Sequence, residues 1–531
     1  MLDDLRMAVR FARDFGAFLG RPYTAEDCHR LLKDQLARRD EFFLRIMART
    51  VFGNVRSPYF ALMRQAKVQY GDVAAWIRRR GVEGALAELY GAGVYVTLDE
   101  FKGRRPIRRP GFELFVRDHD FDNPLLTAHY EGRSGGTRGV GTRTKVDLGL
   151  LAHEAASELV ALTALDAVGR PMGIWRPALP ISAAMKSVLR HARVGISAER
   201  WFSQSEFRFS RELWKSWIFT SYAMAMSRRR GRPFPLPEYV PVGRPIVVAR
   251  WLAQKKAQGT PAYLDVAVSS AVRVCLAARL HGLDIAGTLF RVGSEPFTEA
   301  RARIITEAGC RALCHYHLAE VGRLGVACTG PAAVDEVHVA TEKIALLQQD
   351  RSVGGATVGA LFCSTLHPAV PKLMVNVELG DCGVLTERAC GCPFDHLGFH
   401  QHLHTIRSYE KLTSEGMHFV GSELVRLVEE VLPDRFGGHP TDYQLLEEEE
   451  EGLSKVSLLV SPRVGEIDQT QVVRTILEVL GTASYGNSAA PMMAGYWRDA
   501  QTLRVVRREP HATGAAKILP LHVIKQGDRV S

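Results

Sequence analysis

Residues 130–144 read YEGRSGGTRGVGTRT, and how this stretch is read decides the fold. Its glycines let the backbone turn sharply and bring N–H groups close to a ligand, while arginine and hydroxyl side chains add further donors. Such a composition suits an anion rich in oxygens, above all a phosphate chain, although a merely flexible surface loop has the same make-up. The first reading makes the surrounding chain a nucleotide-binding body; the second leaves it undetermined. No Gly-Lys-Ser/Thr follows, so the loop is not of the Walker type.

Outward from the loop, the chain has 531 residues, 46% hydrophobic and 24% charged, enough for more than one core, so two or more domains are expected. The first 90 residues read as helical, with charges interleaved among apolar positions through LLKDQLARRDEFFLRIMARTVFG (31–53). Strands are expected to begin at GVYVTL (93–98). Up to about residue 400, β-rich runs such as GTLFRVG (287–293) and KLMVNVELGD (372–381) alternate with helical stretches such as LDVAVSSAVRVCLAARLHG (264–282) and TEARARIITEAG (298–309). That alternation predicts an α/β body with buried sheets flanked by helices.

The last 120 or so residues have a different grammar. SELVRLVEEVLP (422–433) has helical spacing, with Ser422 as N-cap and Pro433 as stop. TDYQLL (441–446) and KVSLLV (455–460) read as strands, and the acidic run between them reads as a solvated hairpin tip. A helix from about Asp468 to Leu480 and a strand TLRVVRRE (502–509) complete a small α+β module. Its boundary with the body falls near LHTIRSYEKLTSEG (403–416).

The formal charge of +10 favours anionic partners such as nucleotides and phosphorylated cofactors; no nucleic-acid-binding motif accompanies the arginine clusters. No run of eighteen apolar residues occurs, and the N-terminus lacks a signal-peptide core, so neither a membrane span nor secretion is expected. Nine unevenly spaced cysteines fit a reducing cytoplasm. Cys382, Cys390 and Cys392 crowd a short segment with His396, His400, His402 and His404, where thiolate and imidazole ligands would suit zinc; buried thiols and surface histidines are the other reading.

Taken in order, the glycine-rich loop, RVGSEPFT (291–298), YHLAE (316–320), VELGDCG (377–383), IRSYEKLTSEG (406–416) and REPHATGAAKILP (508–520) resemble the spaced signatures of the adenylate-forming superfamily. That superfamily comprises acyl-CoA synthetases, nonribosomal peptide adenylation domains and luciferases. SPYFALMRQA (57–66), EFKGRRPIRR (100–109) and DFDNP (120–124) are similar to the phenylacetate-CoA ligase-like branch and to acyl-protein synthetases. The resemblance implies a helical segment 1–90 packed on an adenylation core 91–406, with a mobile C-terminal domain 407–531. It implies ATP and Mg²⁺ as cofactors, a carboxylic acid activated as its acyl adenylate, and acyl transfer to CoA. A carrier protein, a protein thiol or an amine is the other class of acceptor, and a degenerate, non-catalytic nucleotide-binding homologue is the alternative of a different kind.

Residue by residue, the resemblance gives Ser134, Gly135, Gly136, Thr137, Arg138 and Gly139 the ATP phosphates. Here Gly136 stands where a hydroxyl is usual and Arg138 where the last glycine is usual. Gly293, Ser294, Glu295 and Pro296 form the adenine pocket, Tyr316 lies against the base, and Glu320 holds Mg²⁺. Asp381 takes the ribose hydroxyls. Arg407 opens the hinge, with Tyr409 and Glu410 as pivot residues. Lys517, in TGAAK (513–517), bridges the carboxylate and the α-phosphate. Some relatives of this branch carry a structural metal near the 382–392 cysteines. The acid pocket is expected between residues 200 and 320, with Trp201, Phe202 and WKSWIFTSY (214–222) as candidates.

Overall fold

The computed structural model describes residues 2–133, 136–137, 143–179, 181–206, 214–353, 356–408, 411–414, 417–420, 427–450, 453–482, 495, 497–511 and 521–523. The N-terminal segment is helical as expected, with helices Leu2–Phe18, Ala25–Ala37, Arg39–Ile46, Pro58–Gln65 and Tyr70–Gly91. The helix Ala25–Ala37 starts at Thr24, whose hydroxyl accepts from the Asp27 amide while the Asp27 carboxylate accepts from the Thr24 amide. The GVYVTL run is not a strand. Val96 makes a single bridge to Val377, and the next residue, Thr97, caps the short helix Leu98–Phe101 by the same reciprocal device with Glu100. A local cap thus outcompetes β-pairing.

The body is built on a parallel six-stranded sheet. Its strands are β1 (Met172–Trp175), β2 (Ala198–Ser203), β3 (Pro237–Tyr239), β4 (Tyr263–Val266), β5 (Leu289–Val292) and β6 (Arg311–Cys314). Spatial order is β6-β5-β4-β1-β2-β3. The chain therefore winds outward from β1 to one edge, returns to β4 beside β1, and winds to the other edge. Between β1 and β4 the order reverses, and a parallel sheet opens a crevice at the carboxyl ends of its strands at such a point. The stretch LDVAVSSAVRVCLAARLHG divides: its first residues belong to β4, and only Val268–Leu280 is helical. Buried on both faces, a parallel strand reads as a continuous apolar run and merges in sequence with the apolar helix that follows.

A seven-stranded antiparallel sheet packs beside it, in the order Tyr316–Leu318, Gly322–Ala327, Val337–Val339, Gln401–Ser408, Val377–Glu387, Ala356–Thr365, Ile344–Val353. The helix Leu148–Ala164 is buried along almost its whole length from Leu148 to Leu162. It brings Glu154 and Glu158 into the interior.

The C-terminal module has a four-stranded sheet, in the order Leu503–Arg507, Leu453–Val460, Tyr443–Glu450, Leu521–Val523, with the helix Gln469–Thr482. Its core includes Leu427, Tyr443, Leu458, Val472, Ile476 and Trp497, and Ile181 and Val242 join from the body. Two expectations are corrected here, and one strand is added. Glu447 to Glu450 lie in a strand and not in a hairpin tip: they pair with Leu453 to Val456, and Arg504, one strand further across the sheet, pairs with Glu448 and Glu450. Pro433 does not stop a helix but sits in the first turn of Leu432–Phe436, where no intrahelical N–H bond is lost. The strand Leu521–Val523 was not expected; its parallel partner is Leu445–Glu447. Ser422 lies outside the described residues.

Candidate active site

At the carboxyl ends of the parallel strands lies a cavity of about 310 Å³. Residues from six distant stretches of sequence meet in its wall: Lys145, Arg176, Gly293 to Phe297, His315 to Glu320, Asp381 and Arg407. Gly293, Ser294, Glu295, Pro296, Tyr316, Glu320, Asp381 and Arg407, all singled out from sequence, therefore share one site.

The turn after β5 shows why its residues are what they are. A Cβ on Gly293 would lie 2.6 Å from the His315 carbonyl oxygen, so only glycine lets this backbone approach the end of β6 so closely. Ser294 has φ +72, a left-handed conformation that a non-glycine residue adopts at a cost, and Arg176 Nη1 donates to its hydroxyl at 3.2 Å. Arg176 also donates to Asp265 Oδ1 at 2.6 Å and to the Val266 carbonyl at 2.8 Å, tying the ends of β1, β4 and β5 together. Glu295 does not present its carboxylate to the cavity as a free acceptor. It accepts from the Ser269 amide at 2.8 Å and the Ser269 hydroxyl at 2.9 Å, capping the helix Val268–Leu280 from outside.

Tyr316 donates through its hydroxyl to Asp381 Oδ2 at 2.7 Å. Burial and the adjoining Asp381 carboxylate push the phenol pKa well up, so the hydroxyl keeps its proton. Arg407 Nη1 donates to Asp335 Oδ2 at 3.0 Å, and the same carboxylate accepts from the Thr405 and Ile406 amides at 2.9 Å. Glu320 lies in the turn after the strand Tyr316–Leu318 and pairs with Lys102 at 2.5 Å. Burial raises the carboxyl pKa, but Lys102 outweighs it and holds Glu320 at about 2.

Beneath the cavity runs a network of buried charge. Glu154 accepts from Arg190 at 3.0 Å and Lys343 at 2.8 Å; Glu158 accepts from Arg291 at 2.9 Å and Tyr263 at 3.0 Å and pairs with Arg323. Burial pushes both carboxyls up, yet the cations around them hold both well below the ordinary value of 4.5. Lys186, on the helix Ala183–Arg193, also lines the cavity, and burial brings its ammonium down to about 8.

The glycine-rich stretch forms a hairpin stem, Tyr130–Arg133 against Arg143–Val146, whose Lys145 and Val146 line the cavity. A Cβ on Gly132 would lie 2.4 Å from Ser182 Cβ, so the stem rests directly on the start of the helix that carries Lys186. Gly136 and Thr137 pair with the strand Met417–Val420. Ser134, Gly135, Arg138, Gly139, Tyr409, Glu410 and Lys517 lie outside the described residues. Trp201 and Phe202, expected near the acid, are core residues of β2 and do not line the cavity. Sequence reading missed Arg176, Asp265, Lys102, Asp335 and Lys186. Asp265 alone carried a signal, an acid inside the apolar run YLDVAV.

A second site lies outside the cavity. The donor atoms of Cys328, His338, Cys390 and Cys392 all lie within 4.8 Å of one another. Cys382 is not among them; it lies on the strand Val377–Glu387, opposite Arg407 and Ala360. Cys328 and His338, some sixty residues upstream in sequence, complete a set whose local C-x-C spacing gave no hint of them. His338 Nδ1 lies 2.8 Å from the Phe399 carbonyl, and a proton held there leaves the Nε2 lone pair facing Cys392 Sγ at 3.0 Å. That orienting contact is the one a metal-bound imidazole needs.

No protein-family model and no curated protein sequence matches the chain. Among solved structures, 2-hydroxyisobutyryl-CoA ligase in complex with 2-HIB-AMP and CoA in the thioesterification state is similar at a TM-score of 0.55 and 13% identity, covering 94% of this chain and 90% of that one. The amide bond synthetase McbA from Marinactinospora thermotolerans has a TM-score of 0.41 and 12% identity, covering 83% of this chain and 78% of that one. Among the described residues no helix is long and apolar enough to cross a membrane. The chain has the fold of the adenylate-forming enzymes.

Proposed function

We propose that this protein activates a carboxylic acid with ATP as an acyl adenylate and passes the acyl group to a thiol, that of CoA in the simplest case. The observation that carries this reading is the meeting of Gly293 to Pro296, Tyr316, Glu320, Asp381 and Arg407 in one cavity at the reversal point of a parallel sheet. The acid's carboxylate oxygen attacks the α-phosphorus and the bond to pyrophosphate breaks; the thiol sulfur then attacks the acyl carbon, releasing AMP and a proton. The turn after β5 presents backbone groups to the base, Tyr316 lies against the base, Asp381 takes the ribose hydroxyls, and Glu320 supplies an ionised carboxylate beside the phosphates. Mg²⁺, when bound, spreads and neutralises phosphate charge, and it suits one carboxylate plus phosphate oxygens. In this reading residues 1–406 form the body, its first 90 residues a helical segment packed on the core, and 407–531 a domain that moves between the two half-reactions.

The deciding experiment is carboxylate-dependent exchange of labelled pyrophosphate into ATP, screened over aryl, fatty and amino acids. Exchange is expected with some acid, and Asp381→Ala is expected to raise the ATP KM by about 10- to 100-fold through loss of charge-assisted hydrogen bonds. Absence of exchange with every acid would leave only a nucleotide binder. Adding CoA, a carrier protein or an amine then identifies the acceptor by which one consumes the adenylate.

For the second site, the three thiols and one imidazole fit Zn²⁺, which takes Cys and His ligands at tetrahedral sites. Bound there, zinc would be held by Cys328 just after the strand Gly322–Ala327, His338 on the strand Val337–Val339, and Cys390 and Cys392, a structural task. About one zinc per chain is expected by elemental analysis of protein purified without chelator. Cys392→Ser is expected to lose that metal and to lower the melting temperature by several degrees, since folding and metal binding are linked.

A further inference from the structure

Among the described residues lining the cavity, one cation, Lys186, has no carboxylate partner. Lys186 stands one helical turn before Arg190 on the helix Ala183–Arg193, and both line the wall. The other cations there are answered by carboxylates: Lys102 by Glu320, Lys145 by Asp122, Arg176 by Asp265, Arg190 by Glu154, Arg291 by Glu158, Arg407 by Asp335. Among the described residues Lys186 has no side-chain hydrogen bond and no ion pair; it feels Glu154 and Glu320 only at longer range. Both of those carboxylates are already neutralised by another cation at 2.8 Å or less. An ammonium partly withdrawn from water without a counter-ion is costly, and the described residues do not supply one.

The surroundings say what kind of group does. The helix Leu148–Ala164, the helix that carries Lys186 and the approach to it line the cavity with Leu150, Leu151, Ile181 and Ala183, together with Ser182 and the paired Glu154 and Arg190. The turn after β5, Tyr316, Asp381 and Arg407 come from strand ends, and the glycine-rich stretch offers its own donors for phosphate. A wall whose other groups on these two helices are apolar or already paired, with one lysine left unpaired, suits an organic acid whose far end carries negative charge.

We propose that Lys186 is a specificity-determining residue whose ammonium receives a second anionic oxygen of the acid substrate, making dicarboxylic acids the preferred substrate class. This rests on the adenylation reading above. Matched pairs test it: butyrate with succinate, hexanoate with adipate, benzoate with terephthalate, each assayed for acid-dependent pyrophosphate release by wild type and Lys186→Met, with calorimetric titration of the same acids and of ATP. Wild type is expected to favour the diacid of a productive pair by at least about 10-fold, and Lys186→Met to lose about 10- to 100-fold in kcat/KM on that diacid while the monoacid changes little. ATP affinity is expected to stay within about twofold. The proposal is overturned if wild type favours the monoacid, if the variant loses both acids equally, or if ATP affinity falls with the substitution, which would assign the ammonium to phosphate. Should no acid release pyrophosphate, the adenylation reading falls, and calorimetry still decides the lysine: diacid binding present in wild type and absent in Lys186→Met supports it, and no diacid binding to wild type overturns it.

Discussion

Lys517→Ala is expected to slow acyl-adenylate formation by about two to four orders of magnitude while leaving thioester formation from a supplied acyl adenylate nearly unchanged. The split follows from where charge develops. In the first half-reaction negative charge gathers around the α-phosphorus as the carboxylate approaches, and an ammonium bridging the two is worth most at that moment. In the second, a thiol attacks a carbonyl and AMP departs with its charge already in place, so the same ammonium has little left to stabilise. The two rates are measured separately, by pyrophosphate exchange and by adding synthetic adenylate with CoA. Equal exchange rates in wild type and variant would remove Lys517 from the chemistry, and equal losses in both halves would point to damaged folding.

Glu158→Ala is expected to destabilise the protein by about 3–5 kcal/mol, the largest stability effect of any single change described above. The carboxylate is buried, and its removal leaves Arg291 and Arg323 facing one another's charge in the interior. Urea denaturation followed by tryptophan fluorescence reads the loss as a lower midpoint. The sign with pH is fixed as well. Because the folded-state pKa lies well below the ordinary 4.5, the contribution is complete above that value and drains away as pH falls beneath it. Wild type should therefore lose stability on acidification more steeply than Glu158→Ala. A variant within about 1 kcal/mol of wild type at neutral pH would mean that water or relaxation compensates the arginines.

How much of this was legible in the sequence depends on distance along the chain. The helices Glu299–Glu307 and Gln469–Thr482 could be read because caps and spacing are local. The motif residues could be read because each short stretch carries its own pattern, from the glycine before Ser294 to the Gly-Asp pair within the strand Val377–Glu387. What escaped is what only folding brings together. Arg176 and Asp265 lie 89 residues apart and look like an ordinary arginine after a strand and an acid within one. Cys328 and His338 join Cys390 and Cys392 across two strands, while Cys382, nearer in sequence, points the count astray. GVYVTL failed for the opposite reason: a four-residue capping box, Thr97 to Glu100, overruled a convincing β pattern.

The ion pair between Lys102 and Glu320 has a consequence for the order of events. On the proposed reading, in which Glu320 takes Mg²⁺, that carboxylate is here held by a stand-in from its own chain. Whichever species arrives must evict the lysine, and a lone dication gains less from doing so than one escorted by triphosphate, whose oxygens offer the displaced ammonium a new seat. Nucleotide and metal should accordingly load together, with the freed lysine following them inward.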